Sequence, residues 1–143
     1  MLSYQHVYHA GNRADVLKHA VLCSVLTDLS SQKAPIFYVE THAASGRYDL
    51  SSKEARKGAE FPDGIGRIWD MKRTPPPLKP YLETVKSFNT GEELTHYPGS
   101  PAIAAKFLRP SDRMAFFELH PQEHQALAAN FETDSRVQIK KAD

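Results

Sequence analysis

The sequence predicts an α/β protein with a parallel β-sheet flanked by helices, and two observations lead to this prediction. Apolar runs typical of strands occur at residues 36–39, 113–119 and, more weakly, 137–140. Helical periodicity occurs in the stretches beside these runs, at residues 15–29, 101–108 and 121–131. Because strands that alternate with helices are joined by right-handed crossovers, we expect three parallel strands with helices on their faces.

The first predicted helix covers residues 15–29. Its apolar residues recur at helical spacing at Val16, Leu17, Ala20, Val21, Val25 and Leu29. Asn12 or the pair Ala14–Asp15 supplies its N-terminal signal, because a capping side chain or an acid stabilises the positive end of the helix dipole. Cys23 is the single cysteine, which excludes an intramolecular disulfide, and its place on an apolar helical face predicts a buried thiol.

The run at residues 36–39 joins β-branched and aromatic residues without polar alternation, which predicts a strand buried on both faces. Residues 113–119 show the same pattern. Pro101 and Pro121 stand in the first turns of the two later helices, where a missing backbone N–H removes no helical hydrogen bond. These later elements therefore continue the α/β pattern.

Residues 50–97 interrupt this alternation. Apolar residues at helical spacing occur at Ile65, Ile68, Trp69, Tyr81, Leu82, Val85 and Phe88. The proline-rich stretch at 74–77 predicts a stiff extended break between two helical parts. We expect a helical subdomain inserted into the α/β fold, which divides the chain into residues 1–49, 50–97 and 98–143. Its mild excess of Lys and Arg fits either a solvated face or a surface that faces RNA.

Composition sets wide limits on function. The chain has 143 residues, of which 41% are hydrophobic and 24% charged, and these values are ordinary for one globular domain. A net charge of +1 provides no general basic field, so any contact with nucleic acid would need a local patch. The sequence has neither an apolar stretch of about 20 residues nor a signal-peptide pattern, and it predicts a cytoplasmic protein.

Polar residues follow the predicted strands at the points where the strands end. Glu-Thr-His at 40–42 follows the first strand, Glu118 ends the second, and Asp143 follows the third. Ligands of open parallel sheets bind beyond these carboxyl ends. A carboxylate there can accept hydrogen bonds from a ribose diol or an adenine amino group, and small residues at 43–46 allow close approach. From these residues alone, a nucleoside-cofactor site and a chance occurrence of strand-end acids both remain open.

Several motifs at consistent positions carry a family resemblance over the whole chain. They are MLSY at 1–4 with His6, HAGN at 9–12, ADVLKH at 14–19, THA at 41–43, GRY at 46–48, YPGSP at 97–101 and ELHP at 118–121. The chain resembles the bacterial RlmJ family, S-adenosylmethionine-dependent enzymes that methylate N6 of an adenine in 23S ribosomal RNA. The resemblance implies a Rossmann-like class I methyltransferase fold, and ribosomal RNA that is free of protein or in early assembly as the partner.

The resemblance also implies a role for individual residues. Five positions match the family's cofactor contacts, namely His19, His42, Ser100, Glu118 and Asp143. Glu118 is expected to bind the ribose hydroxyls and Asp143 the adenine end of S-adenosylmethionine. The other three are expected to hold or flank its amino-acid part. Tyr4 matches a residue that lies near the target base, where it would stack on or gate the flipped adenine.

Two departures from the family pattern bear on activity. The family turn usually has glycine where this chain has Ala44, and alanine at positive φ costs about 1 kcal/mol. Family members also carry an Asp-Pro-Pro-Tyr motif after the fourth strand, which orients the adenine amino group, and this sequence contains no such motif. We therefore expect the chain to correspond to an N-terminal half, truncated after the third strand, that is inactive alone. Residues 36–39 would then form an open apolar edge.

Other readings of the sequence remain as alternatives. His120 to His124 fits the H-x-x-E-H pattern of a zinc peptidase, although His120 precedes the helix and should not share a face with His124. His6 and His9 form another possible metal pair, but no cysteine or acid cluster accompanies them. We expect no metal site. The main rival to an enzyme is a non-catalytic module that binds cofactor or RNA without performing chemistry.

Overall fold

The computed structural model describes residues 4–142, and within this range it contains six α-helices, three short 3-10 helices and five strands. The helices are α1 (Arg13–Ser30), α2 (Lys53–Gly58), α3 (Gly66–Trp69), α4 (Lys79–Lys86), α5 (Ser100–Phe107) and α6 (Pro121–Asn130). The strands are β1 (Phe37–Glu40), β2 (Arg47–Asp49), β3 (His96–Pro98), β4 (Arg113–Phe117) and β5 (Val137–Lys140). Within the described range, none of the helices combines the length and apolar character needed to cross a membrane.

The main sheet has the strand order β1-β4-β5, and both pairings are parallel. Val39 lies opposite Ala115, and Phe116 lies opposite Ile139. Helices flank this sheet, so the predicted α/β fold is confirmed. Because all three strands run in the same direction, their carboxyl ends meet at one edge of the sheet. Glu40 and Glu118, two of the polar residues that the sequence analysis singled out, lie at this edge.

Helix α1 begins as predicted, because the Asn12 side chain accepts a hydrogen bond from the Asp15 N–H at 2.9 Å. Its buried side is formed by Asp15, His19, Ala20, Cys23 and Leu26. Cys23 is therefore the buried thiol that its position predicted. A second apolar stripe on the same helix is exposed and consists of Leu17, Val21, Val25 and Leu29.

The prediction that β1 is buried on both faces is wrong. Phe37 and Val39 are 66% and 48% exposed, whereas Tyr38 and Glu40 are half-buried. Exposure alternates along the strand, because one face of β1 packs on the core while the described residues leave the other face uncovered. β1 is also an edge strand, with β4 as its partner among the described residues. The expectation of an open apolar edge is thereby confirmed. A strand of this kind offers unpaired backbone groups for association with another polypeptide.

The segment between β2 and β3 is mostly helical and shares the hydrophobic core of the rest of the chain. The two strands pair antiparallel, with Tyr48 opposite Tyr97, and enclose α2, α3 and α4 along the chain. The predicted extended break at 74–77 is partly wrong, because Pro76–Leu78 forms a short 3-10 turn. Proline fixes φ near the value that such a turn requires, which allows the turn to form. The division into three units stays a prediction.

A buried carboxylate fastens the loops that precede β1 and β4. Asp112 is fully buried and accepts a hydrogen bond from the Ile36 N–H at 2.8 Å. It also accepts from the Arg109 N–H at 2.7 Å and from two guanidinium nitrogens of Arg109 at 3.0 Å. Arg109 in turn donates to the Ala34 carbonyl at 2.6 Å. This network fixes how β1 and β4 enter the sheet.

Candidate functional site

A cavity of about 420 Å³ lies beyond the carboxyl ends of β1 and β4. This volume falls within the range of small-molecule sites. Its lining includes the predicted residues Tyr4, His19, His42, Ser100 and Glu118. Four of the five predicted cofactor contacts therefore converge on one cavity together with the predicted substrate residue. The fifth, Asp143, lies outside the described residues.

Glu118 bridges two loops at the rim of this cavity. One carboxylate oxygen accepts from the Ala44 N–H at 2.8 Å, and the other accepts from the His120 N–H at 2.7 Å. Each oxygen of an ionised carboxylate has a further lone pair available. Glu118 is thus held in a fixed orientation and retains the capacity to accept hydrogen bonds from a ligand.

Glu40 and Ser100 form a second polar group in the cavity. Glu40 accepts hydrogen bonds from the Tyr38 hydroxyl at 2.5 Å and from the Ser100 hydroxyl at 2.7 Å. Burial raises the pKa of the Glu40 carboxyl above its ordinary value, and these two hydrogen bonds oppose that shift. Ser100 begins α5, whose N-terminus adds the positive end of a helix dipole to this part of the cavity.

His19 reaches the cavity from the buried side of α1. Its Nδ1 lies 2.8 Å from the Tyr97 hydroxyl oxygen, which lies 3.0 Å from the Tyr81 hydroxyl oxygen. Burial lowers the pKa of His19 to about 4, because the charged imidazole is poorly solvated there. Lys18 lowers this pKa further and Asp15 opposes the shift. His19 is therefore neutral at pH 7.

The low pKa of His19 makes the folded state sensitive to acid. Between pH 6.5 and about 4 the unfolded chain binds a proton that folded His19 does not. Its contribution to stability is complete above pH 6.5 and is lost as the pH falls toward 4. We expect a loss of about 3 kcal/mol over this window. Urea unfolding of wild type and His19→Gln at several pH values checks this, and parallel pH profiles would contradict it.

The N-terminal segment contributes a chain of polar contacts beside His19. The Tyr4 hydroxyl lies 2.7 Å from His6 Nδ1, and His6 Nε2 lies 2.8 Å from the carboxylate of buried Asp15. Burial alone would raise the pKa of Asp15, but its hydrogen bond and charge interaction with His6 outweigh this and hold the pKa at about 2. The other Asp15 oxygen lies 3.1 Å from Lys18 Nζ.

Three of the four histidines that the sequence offered as metal ligands have other partners. His6 contacts Asp15, and His9 Nδ1 lies 2.8 Å from a Glu60 oxygen. His120 is the N-cap of α6, where its side chain accepts from the Glu123 N–H. Across residues 4–142 no group of three or more His, Cys, Asp and Glu side chains is arranged to hold a metal ion.

The loop after β1 places Ala44 in the left-handed region, with φ of +49°. This is the conformation in which alanine is strained and glycine is not. We expect Ala44→Gly to stabilise the fold by about 1 kcal/mol. Ala59 ends α2 at φ of +51°, so Ala59→Gly is a matched control away from the cavity. Thermal unfolding should show a similar rise in melting temperature for both variants. A lower melting temperature for both would show that the two alanines are not strained.

Some cavity residues are not among those predicted as site residues. Lys18, Tyr48 and Glu123 also line the cavity. Glu123 is buried and accepts a hydrogen bond from the Ser45 hydroxyl. Its one signal in the sequence is its place three residues after His120, in the first turn of α6. Lys18 has the signal of its neighbour His19, and Tyr48 belongs to the GRY motif at 46–48, but only the tertiary fold brings the two residues to one cavity.

Fold and cavity together define an α/β protein with a cavity at the carboxyl edge of a parallel sheet. A family model described as "Ribosomal RNA large subunit methyltransferase D, RlmJ" matches residues 33–143. The chain belongs to this family, and the resemblance stated from its motifs is confirmed. It is thus a member of a family of ribosomal RNA methyltransferases.

Individual relatives agree with this assignment. The chain is 45% identical over 143 residues to "Ribosomal RNA large subunit methyltransferase J" of Escherichia coli K12, covering all of this chain and 51% of the relative. It is 47% identical over 141 residues to the protein of the same name from Haemophilus influenzae Rd, covering 98% and 50%. The chain thus spans about half the length of the curated relatives it matches.

A solved structure is similar to most of this fold. The crystal structure of protein LPL1258 from Legionella pneumophila Philadelphia 1 superposes with a TM-score of 0.85 at 38% sequence identity. The match covers 94% of this chain and 49% of that one. The similarity therefore extends over nearly the whole of the present fold.

Proposed function

We propose that this chain forms the cofactor-binding part of an S-adenosylmethionine-dependent enzyme that methylates adenine N6 in 23S ribosomal RNA. The observation that carries the proposal is the convergence of His19, His42, Ser100 and Glu118 on one cavity. The names of the relatives support large-subunit ribosomal RNA as the substrate. A cytoplasmic location and ribosomal RNA without bound protein, or in early assembly, follow from this substrate.

Each group in the cavity suits one part of the cofactor, which supplies an activated methyl group when bound. Glu118 offers free lone pairs to the ribose hydroxyls. The Ser100 hydroxyl donates to Glu40, so the backbone N–H of Ser100 at the N-terminus of α5 and neutral His19 are the hydrogen-bond donors offered to the cofactor's carboxylate. His42 flanks this part, and its Nδ1 lies 2.9 Å from the Thr41 hydroxyl oxygen. Asp143 is assigned to the adenine end.

The target base would enter beside the N-terminal segment. The Tyr4 ring is exposed and stacks on His9 with a centroid separation of 5.4 Å. An aromatic ring in this place can exchange its partner for a flipped base, and such stacking contributes about 1–3 kcal/mol. The segment at residues 50–97 is proposed to grip RNA.

The chain has no Asp-Pro-Pro-Tyr motif to orient the adenine amino group, so we expect it to bind the cofactor without methylating RNA by itself. This expectation joins the enzyme hypothesis to its rival, the non-catalytic module. For the whole protein we favour the enzyme. For this chain alone we favour the binding function.

Calorimetric titration with S-adenosylhomocysteine tests the binding function. Saturable binding at one site, with none for nicotinamide adenine dinucleotide under the same conditions, is the expected result. A parallel assay follows transfer of labelled methyl groups to unmodified 23S ribosomal RNA. Absence of binding by a chain with a folded circular dichroism spectrum would overturn the cofactor assignment, and RNA methylation by this chain alone would overturn its assignment as inactive.

A further inference from the structure

Hydrogen bonds between three buried side chains connect the inserted segment to the cavity. The Tyr81 hydroxyl, on α4, contacts the Tyr97 hydroxyl at 3.0 Å, and Tyr97 contacts His19 Nδ1 at 2.8 Å. Tyr81 and Tyr97 are almost completely buried, and His19 is buried apart from its contact with the cavity. Which group donates and which accepts in these hydrogen bonds decides which nitrogen of His19 carries a hydrogen.

The number of hydrogens permits two directions, and only one of them gives both buried hydroxyl hydrogens an acceptor. Each phenol has one hydrogen, and a neutral imidazole has one N–H. Within the described part of the chain, the Tyr81 hydroxyl has Tyr97 as its sole hydrogen-bond partner. If His19 donated to Tyr97 and Tyr97 to Tyr81, the Tyr81 hydrogen would be buried without an acceptor. Such a group loses its hydration without compensation.

In the opposite direction both buried hydroxyl hydrogens have an acceptor. The Tyr81 hydroxyl donates to the Tyr97 oxygen, and the Tyr97 hydroxyl donates to His19 Nδ1. Because Nδ1 is then an acceptor, the single hydrogen of neutral His19 lies on Nε2. In the described range Nε2 has no protein hydrogen-bond partner, yet it is not among the fully buried atoms that lack one. Since His19 lines the cavity, Nε2 is open toward it.

We propose that Tyr97 is a positioning residue that holds His19 as the Nε2–H tautomer, so that His19 donates a hydrogen bond into the cavity. Tyr81 completes this set of hydrogen bonds by donating to the Tyr97 oxygen. A fixed donor at this place favours a ligand with an anionic oxygen, such as a carboxylate. The preference for a carboxylate rests on the proposed function, whereas the assignment of the tautomer does not.

Nitrogen-15 NMR of the histidine side chains tests the tautomer without any ligand or variant. At pH 7 we expect the His19 signals to show hydrogen on Nε2 and an unprotonated Nδ1. His19 signals from a ring with hydrogen on Nδ1 would overturn the proposal directly. His19→Gln identifies which signals belong to this residue.

Two variants that each remove one buried hydroxyl separate positioning from packing. Tyr97→Phe takes away the donor to Nδ1, so we expect His19 to become a mixture of tautomers. Tyr81→Phe leaves that donor in place, so His19 should keep the wild-type tautomer. If Tyr97→Phe leaves the wild-type tautomer unchanged, or if both variants alter it equally, Tyr97 does not set it.

The same variants test the ligand preference. We expect Tyr97→Phe to weaken binding of S-adenosylhomocysteine by about 2-fold when the two tautomers are equally populated, because only the Nε2–H form can donate to the carboxylate. Methylthioadenosine lacks the amino-acid part, and its affinity should stay unchanged. An equal loss for both ligands would contradict a contact to the carboxylate. If the NMR signals of His19 show hydrogen on Nε2 but neither ligand binds, the proposed function is overturned and the tautomer assignment stands.

Discussion

We expect Glu118→Gln to weaken binding of S-adenosylhomocysteine by about 100-fold, as the loss of two hydrogen bonds to a carboxylate implies. In the wild type both oxygens accept backbone N–H groups, from Ala44 and His120. An amide has only one oxygen, so its NH₂ group would face one of these N–H donors. The substitution therefore removes acceptors for the ribose and also disturbs the two loops that shape the cavity.

Glu132→Gln is the matched control for this experiment. It removes the same charge from an exposed position in the turn after α6, outside the cavity lining. Calorimetry should give the wild-type affinity for the control and little measurable heat for Glu118→Gln. Equal affinity of the two variants would show that Glu118 does not contact the ligand.

Asp112→Ala is expected to lower the free energy of unfolding by about 4 kcal/mol. The Asp112 carboxylate is fully buried and accepts hydrogen bonds from the Ile36 N–H and from Arg109. The hydrogen bonds from Arg109 hold its pKa well below the ordinary range, so the carboxylate is ionised in the folded state. Without it, a buried N–H and part of a guanidinium lose their partner. Such a loss is a large fraction of a typical domain stability.

Urea unfolding at pH 7 measures this effect. Asp28→Ala serves as the control, because Asp28 is exposed on the last turns of α1, and its removal should change stability by no more than about 0.5 kcal/mol. A loss for Asp112→Ala as small as that of the control would show that the Asp112 network does not stabilise the fold.

The main fold could be predicted because its signals are local. Periodicity placed α1, α5 and α6 within two residues of their observed ends. The small β2–β3 sheet could not be predicted, because each strand has three residues and the two are far apart in the sequence. Burial of β1 also escaped prediction, because it depends on what lies beside the strand and not on the strand's own residues.

The site divides in the same way. Glu40 and Glu118 could be placed together because parallel strands end at one edge of the sheet. The contact between His19 and Tyr97 joins residues 78 positions apart, and no pattern in a single sequence indicates it. Asp112 follows Arg109 by three residues, a spacing typical of a turn and visible in the sequence. The hydrogen bond from the Ile36 N–H to Asp112, however, depends on the pairing of β1 with β4.

Amide NMR during titration with S-adenosylhomocysteine tests the central claim most directly, which is that the carboxyl edge of the main sheet binds the cofactor. We expect saturable shifts for the N–H groups of Ala44, Ser100 and His120, which surround the cavity. The N–H of Ile36, before the start of β1, should not move. Shifts confined to the Ile36 side of the sheet, or a well-dispersed spectrum that does not change at saturating ligand, would contradict the account.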